Sequence, residues 1–510
     1  MGQKKQMAAN VIVGFAAQII SFALSFVSRT FFLRYIGVEI LGLSGTLSSV
    51  VSALSLLDLG FYSVVVFRLY DPLIHQRYDE CNEILAVLKR FYLFVAGAIS
   101  IILICIAPFL KFFLNGIEIT PFVYFVYALI SLNTVVTYFV AYKRTLLYAD
   151  GKDSVAKAVD SACNISFAVI RILILILTKN FLLHQAAGIV QTLVSNLILH
   201  VYCKRRYLWM RSAKISRAVL MPMLSDGKNA FAGKFAEYVY GATDNIVISI
   251  FLKTVTVGFY SNYLMLSSSL RVLGYAVISQ IAPFVGKKYA DNKDSSIHEK
   301  DLETFSFMCF VMAGAFVVPL YLLSDSFIGR WLGDSYILPT IAFFLCVNLY
   351  VEIQQVAFTL YMAAAGFFAE DRTTCVVSAV CNIVSSVILV KVLGLPGVIL
   401  GSVISQLVYW FSRGRCVLRK LFNSDWRYIL RYITMNILYV VVIVLSILLI
   451  DNLLPFIYSE QFLLQFFFQG VVCELCFAVI CIICFSWTKP FREFVNNLKK
   501  RFANNDRQEK

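Results

Sequence analysis

Apolar segments of about 20 residues recur along this chain, and nearly every cluster of Lys and Arg falls in alternate connectors between them. A hydrocarbon core about 30 Å thick is crossed by a helix of about 20 mostly apolar residues, so each segment is a candidate span. About fourteen can be marked, at roughly residues 9–33, 40–67, 91–110, 121–142, 158–178, 181–202, 230–252, 255–280, 304–328, 337–365, 374–392, 394–412, 430–450 and 462–487. The pattern predicts an all-α polytopic membrane protein.

The connectors orient it. One face receives Lys4 and Lys5, Arg77 to Arg90, Lys143 to Lys157, Lys204 to Lys228, Lys287 to Lys300, Arg372, Arg413 to Arg431 and Lys489 to Lys510. The other holds only Arg34, Lys111, Lys179, Lys253, Arg330 and Lys391, one per short loop. The positive-inside rule puts both termini in the cytoplasm, as an even number of spans requires. The net charge of +15 is spread over loops that face anionic headgroups, so it points to membrane lipids and not to nucleic acid.

Much chemistry is excluded. No connector exceeds about 25 residues, which leaves no room for a soluble catalytic domain, and the expectation is a protein that is not an enzyme. Gly227 to Phe235 (GKNAFAGKF) is one residue too long for a phosphate-binding loop and has Phe235 where Ser or Thr is needed. His75, His184, His200 and His298 form no metal pattern. Cys473, Cys476, Cys481 and Cys484 make two C-x-x-C pairs inside the last apolar segment, where no turn gathers four thiolates, so they read as packing residues. No cofactor or metal is expected. Leu208 to Lys228 mixes Arg211, Lys214 and Arg217 with Trp209, Met210, Ile215, Val219 and Leu220, which predicts an amphipathic helix on the membrane surface.

Polar residues inside a membrane helix are costly and usually face the protein interior. On the first span Gln18, Ser21, Ser25, Ser28 and Arg29 form one stripe. On the seventh, Lys234, Glu237, Gly241, Asp244 and Asn245 stand 216 residues later, one for one. The register continues without a gap, Gly42 onto Gly258, Ser52 onto Ser268 and Ser55 onto Arg271. A duplication follows: two six-helix bundles related by a pseudo-twofold, plus two C-terminal helices. The boundaries read 1–207 for the N-terminal lobe, 208–229 for an amphipathic linker, 230–420 for the C-terminal lobe and 421–510 for the extra pair with a basic tail.

Parallel repeats are a common transporter plan, with the substrate path between the halves near the midplane. Arg29, Arg171, Lys234 and Arg271 lie within spans, as do Asp58, Glu237, Asp244 and Glu352, beside Asn245 and Asn262. Asp160, Asn164 and Arg171 share a face of the fifth span, and Asn348, Glu352 and Gln355 one of the tenth. Each alone is satisfied by a local structural pair; as a set on polar stripes they predict a water-filled cavity.

Gly37 to Gly45 (GVEILGLSG), Leu56 to Gly60 (LLDLG), Ala141 to Lys152 (AYKRTLLYADGK), Thr243 to Ser249 (TDNIVIS) and Gly258 to Met265 (GFYSNYLM) occur in the order and spacing of a known family. Over roughly residues 7–420 the chain resembles flippases of the multidrug, oligosaccharidyl-lipid and polysaccharide exporter superfamily, in its bacterial polysaccharide and O-antigen branch. That resemblance implies two bundles in a V, open alternately to each side, with a cationic cavity for the pyrophosphate and sugars of an undecaprenyl-linked oligosaccharide. In related lipid II flippases the extra helix pair forms a groove for the lipid tail.

The expectation is therefore a flippase of the bacterial inner membrane, carrying a polysaccharide repeat unit to the outer leaflet by alternating access. Arg29, Arg171, Lys234 and Arg271 are the candidate headgroup residues, placed by location. Asp58, Glu237, Asp244, Asn245, Asn262 and Glu352 are the candidates for the cavity or for coupling to H⁺ or Na⁺. Expected partners are the lipid-linked oligosaccharide, membrane lipids, a glycan polymerase and glycosyltransferases. The alternatives are a cation-coupled multidrug exporter of the same superfamily, whose cavity would be dominated by carboxylates, and an integral-membrane glycan polymerase, which would show a large external loop.

Overall fold

The computed structural model of this protein describes residues 20–54, 59–216, 219–223, 243–279, 282–291, 294–456 and 461–496. Among them there is helix and no strand. The helices used below are α1 (20–35), α2 (Val38–Leu54), α3 (Leu59–Ile74), α4 (Tyr78–Ile106), α5 (Pro121–Ala149), α6 (Asp153–Thr178), α7 (Phe181–Arg206), α8 (243–251), α9 (Thr254–Ser279), α10 (Ala282–Asp291), α11 (Ser295–Leu332), α12 (Ile341–Gln354), α13 (Val356–Ala365), α14 (Phe368–Leu393), α15 (Leu395–Arg415), α16 (Trp426–Asp451) and α17 (Phe462–Phe485). Ten helices of the described residues are long and apolar enough to cross a membrane. Their outward faces are bare hydrocarbon, as at Phe94 (72% exposed) and Leu177 (78%). That is the reverse of a water-soluble fold and the normal state of a surface solvated by lipid.

By internal packing the chain divides into two compact units, Met1–Phe259 and Tyr260–Lys510. In the first, α5 is the hub: α2, α3, α4, α6 and α7 all pack on it. Pro121 opens α5 at a position where no backbone donor is lost. Asn180 caps α7, its Oδ1 accepting from Leu183 N at 3.2 Å. The turn between α8 and α9 is tied to the end of the α4 hairpin: Thr254 N donates to Asn115 O at 2.9 Å, and Ser249 Oγ donates to Phe113 O at 2.6 Å.

Within this unit α2 and the first turns of α9 meet reciprocally. A Cβ on Gly42 would overlap the Thr254 carbonyl, and one on Gly258 would overlap the Val38 carbonyl; each would also lie 3.1 Å from the other glycine's nitrogen. Val38 and Gly42 precede Thr254 and Gly258 by the same 216 residues that relate the two polar stripes. Each residue thus meets its counterpart's neighbour, the arrangement that a local twofold produces. Glycine is what permits the approach, by the small-residue logic of membrane helix pairs.

In the second unit α11 is the spine, with α12, α16 and α17 packed on it, while α14 and α15 form a tight pair. The two C-terminal helices belong to this core. A Cβ on Gly314 of α11 would run into the Phe477 ring of α17, and Phe310 stacks on Tyr439 of α16 with centroids 4.4 Å apart. α17 runs unbroken through Cys473, Cys476, Cys481 and Cys484, whose sulfurs are free.

One expectation needs correction. Leu208–Ser216 is a non-helical strap and not the start of a surface helix; residues 219–223 are helical, and 217–218 and 224–229 lie outside the described residues. Asn82 of α4 holds it at both backbone groups, donating to Trp209 O at 3.0 Å and accepting from Arg211 N at 2.9 Å, while Trp209 stacks on Tyr78 at 4.8 Å. The amphipathic composition serves this attachment: Trp209, Met210 and Ile215 lie on the helix bundle, while Leu208, Arg211 and Lys214 are exposed.

Gly42→Ala and Gly258→Ala are each expected to lower the melting temperature of the purified chain, since a methyl group forced against backbone costs about 1–3 kcal/mol. The double variant should lose little more than either single one, because one separation of the helices relieves both clashes. Additive losses would show that the two glycines do not share a contact.

Candidate functional site

The membrane-spanning helices of the first unit carry a connected polar core. Arg144, near the end of α5, makes a bidentate pair with Asp160 of α6 at 2.5 and 3.0 Å. Two α7 groups complete it. Ser195 Oγ donates to Asp160 at 2.7 Å and accepts from Arg144 at 3.0 Å, and Asn196 Nδ2 donates to the Val136 carbonyl at 3.1 Å. One turn farther along, Gln191 of α7 donates to Asn164 of α6. Asp160 and Asn164 thus face α7, as their spacing predicts, and fasten three helices.

Arg171 continues that face but behaves differently. Its guanidinium lies against α7 where Gly188 leaves room, for a Cβ there would overlap it. The Nε is buried without a hydrogen-bond partner, and no described carboxylate lies within ion-pair distance of Arg171. An arginine held in a slot with donors unspent can receive an anion, and its fork-shaped donor array suits phosphate oxygens.

Asn245 of α8 donates to Ser49 of α2 at 3.0 Å, and its Oδ1 is buried without a partner. Arg29 on α1 and Asp244 on α8 are half-buried. Asp58, Lys234, Glu237 and the stretch 227–235 lie outside the described residues.

In the second unit two clusters stand out. Glu352 of α12, 8% exposed, lies 3.7 Å from the Arg271 guanidinium of α9 and accepts from Tyr275 Oη at 3.3 Å. The structure therefore brings together two of the expected residues from separate helices. Asn262 of α9 is fully buried. The second cluster centres on Arg413 of α15, which clasps Asp371 of α14 through Nε at 2.7 Å and Nη2 at 3.1 Å. It also donates to Thr359 at 3.0 Å and lies over the Tyr409 ring at 4.6 Å. Gln355, at the break between α12 and α13, donates to Gln406.

Arg144 and Arg413 were missed by the sequence reading because they adjoin basic connectors and were counted with the loop charges. An acidic residue one span away, Asp160 or Asp371, is the signal that separates them. A loop cation needs no partner, whereas a cation inside a helix bundle does.

The profile of a family described as polysaccharide biosynthesis protein matches residues 7–287, more than half of the chain. The chain belongs to that family. Among curated proteins none matches it in sequence. Among solved structures it is similar to the lipid II flippase MurJ in its inward closed conformation, with a TM-score of 0.70 and 15% identity over 92% of this chain and 98% of that one. It is also similar to an inward-facing multidrug resistance MATE family transporter of the MOP superfamily, with a TM-score of 0.62 and 15% identity over 79% and 96%. The Vibrio cholerae MATE transporter VcmN in its bent form is a further similar structure, with a TM-score of 0.51 and 11% identity over 84% of this chain and 100% of that one. At these identities the likeness establishes the fold: this member of the polysaccharide biosynthesis family is a multi-pass membrane protein with the architecture of those proteins.

Breaking a buried ion pair from one side costs about 3–5 kcal/mol, and water reduces the loss. Arg413 is 11% exposed and Arg144 30%, so Arg413→Gln is expected to lower the melting temperature more than Arg144→Gln. Adding Asp371→Asn to the former should recover part of the loss by removing the orphaned charge. Equal melting temperatures for the two single variants would refute burial as the controlling factor.

Proposed function

We propose that this protein moves an undecaprenyl-pyrophosphate-linked oligosaccharide from the cytoplasmic to the outer leaflet during assembly of a cell-surface polysaccharide, with both termini in the cytoplasm. The observation that carries the reading is Arg171. In a chain of a polysaccharide biosynthesis family, a membrane helix holds a guanidinium in a glycine-lined slot with no described carboxylate beside it. Such a charge is expensive unless something anionic visits it.

Arg29, Lys234 and Arg271 complete the proposed headgroup set. Arg271 already shares a carboxylate, Glu352, so headgroup binding there competes with an internal pair. That competition gives a means of release: when Glu352 reclaims Arg271, the diphosphate loses a contact. Asp58, Asp244 and Glu352 are the proposed coupling groups, with Glu237, Asn245 and Asn262 lining the path. H⁺ or Na⁺ is the proposed coupling ion, and glycosyltransferases and a glycan polymerase the proposed partners before and after the step.

The energetics suit the direction. A dianion moving outward through a potential negative inside releases about 4.6 kcal/mol per 100 mV, at about 2.3 per charge. Drawing the prenyl tail into water would cost about 0.8 kcal/mol per CH₂. A polar path that leaves the tail in lipid avoids that cost.

The test is genetic and chemical. Deleting the gene in its host should abolish the surface polysaccharide and accumulate lipid-linked oligosaccharide on the cytoplasmic side. Arg171→Gln and Arg271→Gln should each fail to restore export while reaching wild-type levels in the membrane. Gly188→Ala, which displaces Arg171 without touching its charge, should cut export by about tenfold or more, the loss expected when one charge-assisted contact is misplaced. Intact export after removal of two of the four cations would refute the site. Unchanged glycan with a changed drug susceptibility would replace the reading by the multidrug exporter.

A further inference from the structure

A second basic site lies in the first unit, away from the residues proposed for transport. The ends of α4, α5 and α7 and the strap that follows α7 enclose a cavity of 660 Å³. Its floor is Lys143, a lysine only 4% exposed. Its Nζ lies 3.1 Å from His200 Nδ1, an imidazole and not a carboxylate counter-ion. Lys89 and Lys143 both stand over the ring of Tyr142, at 5.9 and 5.8 Å. Lys204, one turn beyond His200, and Arg90, beside Lys89, line the same cavity.

The neighbouring acids do not neutralise this cluster, because each is engaged elsewhere. Asp79 pairs with Arg211, Glu83 accepts the Ser216 amide, and Asp150 takes Lys152 and the Tyr207 hydroxyl. Among the described residues no carboxylate lies within ion-pair distance of Lys89, Arg90, Lys143 or Lys204. A buried ammonium without an anion is costly to fold, so a site that retains one is built to be completed from outside. The site is also held open by design, since Asn82 pins the strap that forms its wall through two backbone hydrogen bonds.

Two features say what completes it. The cavity is of the size that takes a small polar headgroup. Two exposed apolar side chains line it: Leu93 of α4, one turn farther into the helix than Lys89, and Leu208 on the strap. A soluble anion would have no use for them, whereas acyl chains would lie along them. Basic pockets between membrane helices at the face of the basic connectors are suited to phosphate-bearing headgroups.

We propose that this cavity is a binding site for the phosphate headgroup of an anionic phospholipid, with Lys143 as the buried contact and Lys89, Arg90 and Lys204 as its rim. The site is independent of what the chain transports. A bound lipid would neutralise Lys143 and brace α4 and α7 against α5, the hub of the first unit.

The test uses the full-length protein in neutral detergent, titrated with phosphatidylglycerol, phosphatidylcholine or inorganic pyrophosphate, and read by native mass spectrometry and melting temperature. Phosphatidylglycerol should bind and raise the melting temperature; the other two should not do so at the same concentration. Lys89→Gln with Lys204→Gln, both at exposed positions, should weaken phosphatidylglycerol binding by about 30-fold, which is ~2 kcal/mol at ~1 kcal/mol per basic residue. Lys89→Arg with Lys204→Arg should retain it, and Lys143→Met should abolish the thermal effect. Equal binding of phosphatidylcholine, equal stabilisation by free pyrophosphate, or unchanged affinity in the Gln pair would each overturn the proposal.

Discussion

Hydrocarbon offers a peptide chain no hydrogen-bond partner, and the architecture of this protein depends on that fact. Every backbone group within the bilayer must be paired inside its own helix, so the chain is helical throughout its described spans. The same scarcity governs side chains. Arg144, Asp160, Ser195 and Asn196 turn toward one another, and so do Arg413, Asp371 and Thr359, because lipid would leave each unsatisfied. With no hydrophobic force to draw apolar helices together in lipid, these polar fastenings and close backbone contacts do the work of assembly.

Close contact requires small residues in the right places. Gly42 and Gly258 let α2 and α9 touch at their backbones, Gly314 receives Phe477, and Gly188 receives Arg171. The first two examples are structural. At Gly188 the space is occupied by a charged group instead of an apolar one, so the glycine serves the guanidinium's position. Polar residues that close on one another hold the bundle together, whereas Arg171 and Lys143, which have no described carboxylate within ion-pair distance, are the residues proposed as ligand contacts.

Much of this was legible in the residues. The spans, the alternation of basic connectors and the 216-residue repeat follow from periodicity and charge, which lipid selects directly. The repeat acquires physical force in the reciprocal contact of Gly42 with Thr254 and of Gly258 with Val38. Other features were not legible. Counting charges by connector placed Arg144 and Arg413 with the loops, although each is an interior residue paired across helices. The linker composition suggested a helix, yet Asn82 holds Leu208–Ser216 as a non-helical strap, a competition between local periodicity and two specific hydrogen bonds that composition does not record. Lys143 looked like a loop cation for the same reason as Arg144.

Sequence by itself determined that this chain is an all-helical, multi-pass membrane protein, and it suggested a repeat. Those properties depend on hydropathy and spacing, which are local and additive. Tertiary structure decided which charges are spent on one another and which remain available. Glu352 with Arg271, Asp160 with Arg144 and Asp371 with Arg413 are matches between distant helices. The difference between a fastened cation and an open one lies in a few ångströms of packing.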